Sequence, residues 1–522
     1  MAHYLGLDSS TQSLSAIAID AEAGTVVLEE AVNFGKDLPE FRSPHGFLEN
    51  ADPKVKHADP LLWVAALELV LGCVRQRGFD FASVRGVSGA GQQHGSVYLR
   101  TPIDAAGGWS TKTPLVEQLR PLLSRKTSPI WMDASTAEEC REIAAAMGGD
   151  AKVTKLSGSR TIERFTGPQV RRFWKQDRAA YEATREIHLV SSFMASLLTG
   201  RSAPIDFGDG SGMNLLDLSR GAFSPELMEA TAPGLEAKLR PAVPSRTEVG
   251  RIAPYFVEKY GFAAGTPVIA FTGDNPSSLV GMGATEPGTA VVSLGTSDTL
   301  FAAMSVPHTD PRGFGHVFGN PAGGFMCLIC FANGSLARER LAEQVGLDWP
   351  AFERSILDQT SPGNGGALLL PYFVPEMTPK IQNPELRLFG DEAFVRLEDR
   401  ARAARAIVEA QALSLQRYSD FIGEKPTRIR ATGGAAKNRG ILQVVADVFH
   451  AEVTTFKIGN SSALGGALRA AEAVGGIPFA GLYEQFAATD PRTRVQPSVP
   501  ANTYDQLRAR FAIEVDALAA RG

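Results

Sequence analysis

Short apolar runs separated by a polar turn open the chain. Residues 4–7 and 14–19 flank the turn DSSTQ at 8–12, and a third apolar run follows at 25–28. Runs of this length, bounded by turn-forming residues, predict β-strands. The first thirty residues are therefore expected to form three consecutive strands.

The same design returns in the second half of the chain. Residues 289–294 and 299–304 form strand-like runs on either side of the turn GTSD at 295–298. Two strand–turn–strand openings, each beginning about half of the protein, predict two structurally repeated domains. We place the boundary so that residues 1–283 form the first domain and 284–522 the second, and we expect a ligand site in the crevice between them.

Strand and helix patterns alternate after each opening. Residues 60–77 predict an amphipathic helix that ends at Gly78, and 398–422 predict a long helix stopped by Gly423. Further strands are predicted at 84–88, 268–271 and 427–431, and further helices at 438–449 and 462–474. This alternation is typical of the α/β class.

Composition and charge exclude several classes of protein. The 522 residues are 44% hydrophobic and carry a net charge of -5, mixed along the chain, which gives no basis for binding nucleic acid or an anionic membrane. The longest uncharged window contains only a short apolar run at 325–332, which predicts a buried strand. Four cysteines and an N-terminus without an apolar signal segment favour a cytosolic location.

Two hydroxyl-rich turns offer hydroxyl and N–H groups to phosphate. Residues 8–12 include an acidic residue, Asp8, that can hold a Mg²⁺-bound water, and residues 295–298 form the equivalent turn of the second half. Either turn alone is better explained as an ordinary hairpin that satisfies its own backbone. Their equivalent places in a repeat favour phosphate binding.

A third candidate is the glycine pair Gly433-Gly434, between a predicted strand and the helix that begins near Asn438. Glycines there let a ligand approach the backbone at the positive end of a helix, although the same pattern also serves as a plain turn. The chain contains no GxxxxGK[ST] motif, and no GxGxxG motif opens a helix.

Asp274 is the candidate base for a hydroxyl nucleophile. It follows a predicted strand in the segment TGDNP at 272–276. A carboxylate at a strand end can take a proton from a hydroxyl group. The competing interpretation is structural: Pro276 fits the first helical position, and Asp274 or Asn275 can cap the helix.

The glycine-rich segment SGAGQQHGS at 88–96 is predicted to form a turn, and it offers amides and one imidazole to a polyhydroxylated ligand. His94 is the imidazole of this segment. A buried structural histidine is the alternative interpretation, because no metal-ligand or Ser/His/Asp spacing surrounds it.

Taken in order, the segments at 8–12, 272–276, 293–297 and 432–434 resemble the FGGY family of carbohydrate kinases. The segments GAGQQHG at 89–95 and ERFTG at 163–167 resemble its eukaryotic-type subgroup, which phosphorylates D-xylulose. The resemblance spans nearly the whole chain. It implies two actin-like, RNase-H-like domains that close on ATP and a sugar, with ATP and Mg²⁺ as cofactors and a homodimeric assembly.

The resemblance also implies a role for individual residues. Asp274 is similar to the catalytic base. The ketose ligands implied are His94, Arg164, Asp274 and Asn275. The implied nucleotide and metal ligands are Asp8, Thr11 and Gln12 for the first phosphate motif, with Asp8 toward Mg²⁺, then Gly295, Thr296 and Ser297 for the second, Gly433, Gly434 and Asn438 for adenosine, and Trp349 on the nucleotide side.

Two departures from the family pattern bear on substrate choice more than on reaction type. Gln93 stands where many bacterial members have Met, and WMDAST at 131–136 lacks the usual Asn-Asp-Gly-Arg-like run. The alternatives are therefore another FGGY kinase acting on ribulose, glycerol or another polyol, and a sugar-independent actin-like ATPase, against which the segment at 272–276 stands. Glycines at 281, 283 and 288 suggest domain closure that excludes water.

Overall fold

The computed structural model describes residues 2–456 and 459–521. Within them the chain divides into two compact units. The first unit contains the described residues of Met1–Thr285, Val317–Phe325 and Ile458–Ala488; the second contains those of Glu286–His316, Met326–Lys457 and Thr489–Gly522. Both units mix strands and helices, so the predicted two-domain α/β architecture is confirmed.

Short strands and helices alternate up to residue 285. The strands are β1 (His3–Ser9), β2 (Ser13–Asp20), β3 (Thr25–Asn33), β4 (His57–Ala58), β5 (Val84–Gly91), β6 (Ser96–Leu99), β7 (Ser128–Pro129), β8 (Glu186–Leu189), β9 (Ile205–Asp206), β10 (Leu216–Asp217), β11 (Ala222–Phe223), β12 (Ala242–Val243), β13 (Glu248–Arg251), β14 (Pro267–Ile269) and β15 (Thr272–Gly273). The helices are α1 (Phe34–Asp37), α2 (Pro60–Gln76), α3 (Leu115–Leu119), α4 (Ala137–Met147), α5 (Asp150–Ser157), α6 (Thr166–Gln176), α7 (Arg178–Ala183), α8 (Val190–Thr199), α9 (Phe207–Gly210), α10 (Pro225–Thr231), α11 (Pro254–Tyr260) and α12 (Asp274–Gly281).

The remainder of the chain has longer helices. Its strands are β16 (Thr289–Leu294), β17 (Asp298–Met304), β18 (His316–Gly319), β19 (Phe325–Phe331), β20 (Leu368–Pro371), β21 (Leu386–Phe389), β22 (Arg428–Thr432), β23 (Glu452–Thr455) and β24 (Asp490–Val495). Its helices are α13 (Ser335–Val345), α14 (Trp349–Leu357), α15 (Glu392–Val395), α16 (Arg400–Tyr418), α17 (Arg439–Phe449), α18 (Ser461–Gly475), α19 (Phe479–Phe486) and α20 (Asp505–Ala519).

The central sheets of the two units share one topology. In the first, the strand order is β13-β14-β5-β1-β2-β3; β1, β2 and β3 are antiparallel neighbours, whereas β1, β5 and β14 run parallel. In the second, the order β19-β17-β16-β22-β23-β24 repeats this plan, with β16 antiparallel to β17 and parallel to β22. The predicted structural repeat is confirmed.

Helix α2 illustrates how local sequence defines an element. Asp59 caps it by accepting from the Leu61 N–H at 2.9 Å, and Pro60 occupies the first helical position, where its missing N–H is not needed. One face of the helix is buried, including Trp63, Leu67 and Val70. The predicted helix at 60–77 is therefore confirmed to within one residue.

Two local predictions were wrong. Strand β5 continues to Gly91, so residues 88–91 belong to a strand rather than to a turn. Helix α12 begins at Asp274 with Gly273 at the N-cap position, so neither Asp274 nor Asn275 is the cap and Pro276 lies inside the first turn. The pairing of β15 with β5 extends the sheet to Gly273 and leaves no room for a separate cap residue.

None of the helices within residues 2–456 and 459–521 combines the length and apolar character needed to cross a membrane.

Candidate active site

Three parallel strand ends define one edge of the first unit's sheet. Asp8 of β1 lies level with Ala90 of β5, and Ala90 lies level with Thr272 of β15. Because carboxyl ends of parallel strands meet at the same edge, this register brings together the residues that follow them. Asp8, Gln93 and Asp274 therefore share one edge.

Asp274 is half-buried at the first position of α12. Its Oδ1 accepts from the Asn275 N–H at 2.8 Å, the Asn275 Nδ2 at 3.1 Å and the Gln93 N–H at 3.4 Å. Burial and, to a smaller extent, the charge of Asp8 together raise the pKa of Asp274 to about 7, against the lowering effect of the backbone hydrogen bonds. A carboxyl group with a pKa near neutrality is suited to accept a proton at physiological pH.

Asp8 is the second acidic group at this edge. It is buried, and its Oδ2 accepts from the Ser10 hydroxyl at 2.5 Å. Burial raises the pKa of Asp8 to about 6, while the hydroxyls of Ser10 and Ser462 oppose that rise. Two carboxyl groups close enough for one charge to affect the other raise each other's proton affinity, which is common where anions and metal ions bind.

The rest of the first hydroxyl-rich turn is more accessible. Thr11 is half-buried and its Oγ1 accepts from the indole N–H of Trp131 at 2.7 Å, while Gln12 is exposed. The backbone of this turn is also held, because Ser10 N–H donates to Ser13 O at 2.9 Å. Trp131 lies in the WMDAST segment at 131–136, which departs from the family pattern. The sequence did not predict its contact with Thr11.

His94 adopts a left-handed backbone conformation, with φ of 70°, and its ring is buried. The ring stacks on Phe165 with centroids 4.1 Å apart, and Nδ1 lies 2.7 Å from the carbonyl oxygen of Gly212. Burial and, to a smaller extent, the charge of Arg164 together lower the pKa of His94 to about 3. Since a carbonyl only accepts, the neutral ring carries its proton on Nδ1 and presents Nε2 as an acceptor.

Arg164 lies half-buried beside His94, with its guanidinium 5.9 Å from the Phe165 ring centroid. The four sugar ligands predicted from the sequence thus lie in two pairs: His94 is beside Arg164, and Asp274 is bonded to Asn275. Gln93 directly precedes His94. Its Oε1 accepts a hydrogen bond from Asn275 Nδ2 at 2.8 Å, so Gln93 contacts the second pair.

Two further buried carboxyl groups lie behind this edge and were not predicted. Asp206 Oδ1 accepts from the Asp209 N–H at 3.0 Å and from the Thr272 hydroxyl. Asp209 accepts from the Ser191 hydroxyl. Burial raises the pKa of Asp209 well above its usual range, and the charges of Asp206 and Asp274 add to that rise. No motif singles out these residues, although the polar cluster DFGDG at 206–210 in an apolar stretch was a readable signal.

Several buried polar atoms at this edge have no hydrogen-bond partner. Within the described residues, they include Asp8 Oδ1, both side-chain amide atoms of Gln92, Gln93 Nε2, Ser9 Oγ and Asp209 Oδ1. Buried polar groups in proteins are nearly always paired with protein or water, so a concentration of unpaired ones indicates a place built for a polar ligand or ordered water.

The second unit contains a separate cavity of about 810 Å³, a size typical of small-molecule sites. The sequence-predicted residues Gly295, Thr296, Trp349, Gly434 and Asn438 line it. Ser297 and Gly433 do not. The further lining residues, missed by sequence reasoning, are Leu294, Ser335, Leu336, Glu339, Pro350, Glu353, Ala435, Lys437 and Ile441.

Gly433 packs against the backbone of Leu294, which lines the cavity. Its φ is 92°, and a Cβ there would lie 2.5 Å from the carbonyl oxygen of Leu294. Only glycine fits at such a position. Asn438 caps α17 by accepting from the Ile441 N–H at 3.0 Å, so it fixes the helix start and lines the cavity at once.

Trp349 lies at the start of α14 on the wall of the same cavity, with its side chain 43% exposed. The ring packs edge-on against Phe352, with centroids 5.4 Å apart, so its position is held while part of its surface stays accessible. An accessible aromatic surface is suited to contact a flat heterocycle.

Within the described residues, no group of three or more His, Cys, Asp or Glu side chains could hold a metal ion by itself. Mg²⁺ in phosphoryl-transfer sites is usually held by one or two carboxylates together with substrate phosphates and water. The buried carboxyl of Asp8, at the start of the hydroxyl-rich turn at 8–12, fits that second pattern.

Family models match most of the chain. The model described as "FGGY family of carbohydrate kinases, N-terminal domain" matches residues 3–281, and the corresponding C-terminal domain model matches residues 290–474. Xylulose kinase of Mus musculus is 42% identical, covering 97% of this chain and 93% of its own. Xylulose kinase 2 of Arabidopsis thaliana is 38% identical, covering 92% and 90%.

Solved structures share the fold. Xylulose kinase from Rhodospirillum rubrum superposes with a TM-score of 0.81 at 21% identity, covering 99% of each chain. Glycerol kinase from Plasmodium falciparum, solved with ADP, has a TM-score of 0.77 at 16% identity, covering 100% of this chain and 98% of its own.

Proposed function

Because this chain belongs to the FGGY family of carbohydrate kinases, we propose that it transfers the γ-phosphoryl group of ATP to D-xylulose, giving D-xylulose 5-phosphate and ADP. The observation that carries this substrate is the 42% identity with the xylulose kinase of Mus musculus over 97% of the chain. The structure supports the reaction type through Asp274, a carboxyl group with a pKa near neutrality at the open edge of a sheet.

Asp274 acts as the general base. Its Oδ1 is already engaged by Asn275 and Gln93, so we assign the proton transfer to Oδ2. The carboxylate removes the proton from O5 of the ketose as that oxygen attacks the γ-phosphorus, and the bond from phosphorus to the ADP oxygen breaks. Phosphoryl transfer asks mainly for alignment and charge stabilisation, so the base serves chiefly to orient the attacking hydroxyl.

The sugar is oriented by neighbours of the base. The neutral ring of His94 accepts a hydrogen bond from a sugar hydroxyl at Nε2, and Arg164 donates to a carbonyl or hydroxyl oxygen. Asn275 is bonded to Asp274 and binds the ketose beside it. With these assignments, the site offers a polyhydroxylated substrate both hydrogen-bond acceptors and hydrogen-bond donors at fixed positions.

The nucleotide binds in the cavity of the second unit. We assign the adenosine to Gly433, Gly434, Asn438 and Trp349, and the phosphates to the turn of Gly295, Thr296 and Ser297, together with Asp8, Thr11 and Gln12. Backbone N–H groups and hydroxyls in such turns bind phosphate oxygens. Asp8 would help to hold a Mg²⁺ ion, which would neutralise charge on the phosphates.

Release of ADP, measured with Mg-ATP in a coupled assay, tests this proposal. The acceptors are D-xylulose, D-ribulose, L-ribulose, L-xylulose and glycerol, with a control that contains no sugar. We expect the highest kcat/KM for D-xylulose and a much slower rate without sugar. A preference for another acceptor overturns the substrate while keeping the kinase, and an equal rate without sugar overturns the kinase in favour of an ATPase.

We place the reaction in the cytoplasm, where ATP is available and where the four free cysteines of the chain stay reduced. The family resemblance also predicts a homodimer, which light scattering on the purified protein tests.

A further inference from the structure

The side chain of Asn275 has both of its amide hydrogens engaged. Nδ2 donates to Asp274 Oδ1 at 3.1 Å and to Gln93 Oε1 at 2.8 Å. An ionised carboxylate can only accept, so the Asn275 atom beside Asp274 must be the nitrogen. The amide oxygen of Asn275 is consequently the only group that this side chain can offer to a ligand.

Gln93 supplies the second of these contacts from a buried position, with a side chain only 2% exposed. Since Asn275 presents a donor, the Gln93 atom that faces it must be the oxygen, and Gln93 Nε2 points elsewhere. Within the part of the chain that the structure describes, that nitrogen has no hydrogen-bond partner, and neither does Asp209 Oδ1.

Gly273 shows how tightly these groups are packed. A Cβ at Gly273 would lie 2.8 Å from Gln93 Cδ and 2.9 Å from Asp209 Oδ1. The side chains of Gln93 and Asp209 thus both pack closely against Gly273, the residue that precedes Asp274. Asp209 is itself held by the Ser191 hydroxyl, and Asp206 lies behind it. Gln93 therefore has little room to rotate.

We propose that Gln93 is a positioning residue that determines specificity: it locks the amide of Asn275 with Oδ1 toward the substrate, so that this position accepts only a group that donates a hydrogen bond. The inference rests on the proposed function, since it assumes that Asn275 contacts the sugar, and it deepens it. The substrate must present a hydroxyl group to Asn275, and a carbonyl, ether, fluorine or hydrogen at that carbon is rejected.

Fluorinated sugars test this, because fluorine replaces a hydroxyl in size but cannot donate a hydrogen bond. Binding of D-xylulose and of each of its monofluoro analogues is measured by calorimetry without ATP. For the wild-type protein, we expect one analogue, the one fluorinated at the carbon that faces Asn275, to bind at least about a hundredfold more weakly than D-xylulose.

In Gln93→Met the side chain keeps similar length but offers no acceptor. The Asn275 amide then keeps only the longer of its two hydrogen bonds, the one to Asp274 Oδ1 at 3.1 Å, and can more readily turn its N–H toward the ligand. We expect D-xylulose to bind about tenfold more weakly, as when a buried donor loses its partner. We also expect the penalty for that one fluoro analogue to shrink to less than about tenfold. Gln93→Leu is the second variant if methionine prevents folding.

Two controls separate positioning from a general packing effect. Gln93→Glu keeps an acceptor oxygen for Asn275 and should retain most of the wild-type discrimination. Gln92→Met places the same methionine at the neighbouring buried glutamine, which is not bonded to Asn275, and should leave the ratio between analogue and parent unchanged.

The inference is overturned if Gln93→Met or Gln93→Leu discriminates among the analogues as the wild type does, or if Gln92→Met loses discrimination to the same extent. Failure of the proposed function has a different signature, because the wild-type protein would then fail to bind or phosphorylate D-xylulose. In that case the analogues of the acceptor found by the ADP-release assay replace those of D-xylulose, and the comparison of variants stays the same.

Discussion

Single residues at the edge of the first sheet carry both a chemical advantage and a cost in stability. Burial raises the pKa of Asp274 to about 7 and that of Asp8 to about 6, so both groups bind protons more tightly in the folded chain than in the unfolded one. The stabilisation linked to this binding is complete below the unfolded pKa and is lost as the pH rises through 6 to 7. Their ionisation at neutral pH therefore weakens the fold at the place where it serves the reaction.

Replacing the base should separate chemistry from nucleotide binding. We expect Asp274→Ala to lower kcat by about 10²- to 10⁴-fold, the usual range for general-base catalysis, because the attacking hydroxyl loses its proton acceptor. The KM for ATP should change little, since Asp274 is not among the proposed nucleotide ligands. Steady-state kinetics and ATP binding measure both effects, and near-normal turnover would remove Asp274 from the role of base.

The pH dependence of kcat/KM should report the same group. A base works only when deprotonated, so we expect kcat/KM for the sugar to fall about tenfold between pH 8 and pH 6, with an acid limb near 7. Asp8→Asn removes the neighbouring negative charge, so the limb of its residual activity should move to lower pH. A wild-type limb below pH 5, or one that Asp8→Asn leaves in place, would contradict this assignment.

Ionisation of Asp274 should lower the stability of the fold, although it is needed for activity. Asp274→Asn keeps the shape of the side chain but cannot ionise, so at pH 8 it should unfold a few degrees above the wild type and be nearly inactive. At pH 5 the two proteins should unfold at similar temperatures, because the wild-type carboxyl is then protonated. Calorimetry at the two pH values checks this, and a variant that is less stable at pH 8 would contradict it.

Among the elements, helix α18 packs against its neighbours at backbone distance. A Cβ at Gly465 would overlap the Ser277 carbonyl oxygen of α12, and a Cβ at Gly6 of β1 would overlap the Ala463 carbonyl oxygen of α18. Arg469 of the same helix is buried and donates to the carbonyl oxygens of Ala270, at 2.8 Å, and Gly89. Because α12 begins at Asp274, α18 supports the position of the base from behind.

Two glycine-to-alanine changes in helices should have opposite effects. Gly465→Ala forces α12 and α18 apart, so we expect a loss of about 1–3 kcal/mol of stability, as for overpacking, together with reduced turnover. Gly481→Ala in α19 has open space around its Cβ and should gain up to about 1 kcal/mol from helix propensity. Chemical unfolding of the two variants gives the comparison, and a stabilised Gly465→Ala would show that the close approach is not a constraint.

An ion pair plays a comparable supporting role in the second unit. Arg338 of α13 donates to both oxygens of Asp298, at 2.9 and 3.0 Å, and both side chains are almost fully buried. Asp298 directly follows the turn of Gly295, Thr296 and Ser297, so the pair holds the end of the proposed phosphate turn. Burial raises the pKa of Asp298, and the charge of Arg338 lowers it.

Removing one partner of this pair leaves a buried charge. We expect Arg338→Met to lose about 3–5 kcal/mol of stability and to raise the KM for ATP more than the KM for the sugar. The double variant Arg338→Met with Asp298→Asn should recover part of that loss, because no unpaired charge remains. Denaturant unfolding measures the stabilities, and equal stabilities of the single and double variants would show that the charge is not the cause.

For the whole molecule, the first compact unit is assembled from distant parts of the chain. Helices α18 and α19 belong to it although they follow most of the second unit in sequence. Their apolar residues Leu464, Leu468 and Leu482 form one buried cluster with Ile19 and Val280 from the N-terminal half. The first half of the sequence therefore lacks part of its own core.

This composition predicts that residues 1–285 do not fold alone. Without α18, the backbone surface at Gly6 and the apolar side chains of that cluster are left in water, so the fragment should aggregate or behave as a molten globule. Co-expression with residues 286–522 should restore soluble protein and kinase activity. Circular dichroism and dye binding test the isolated fragment, and a cooperatively folded 1–285 would contradict the prediction.

Local sequence determined the elements and the type of site. Alternation and turn residues predicted β16 at 289–294, where the structure has Thr289–Leu294, and capping signals predicted α2 to within one residue. These features depend on neighbours a few residues apart, and such interactions can be read from one stretch of chain. Each family motif likewise lies within one short segment of the chain, so Asp8, His94 and Asp274 were visible as candidates.

The tertiary structure alone decided what those residues can do. The tautomer of His94 depends on the Gly212 carbonyl, the raised pKa of Asp274 depends on Asp8, and the orientation of Asn275 depends on Gln93. Each partner lies more than a hundred residues away in sequence. Hydrogen bonds and charge interactions act over a few ångströms, so their strength is set by packing that brings distant segments together, which no local pattern of residues encodes.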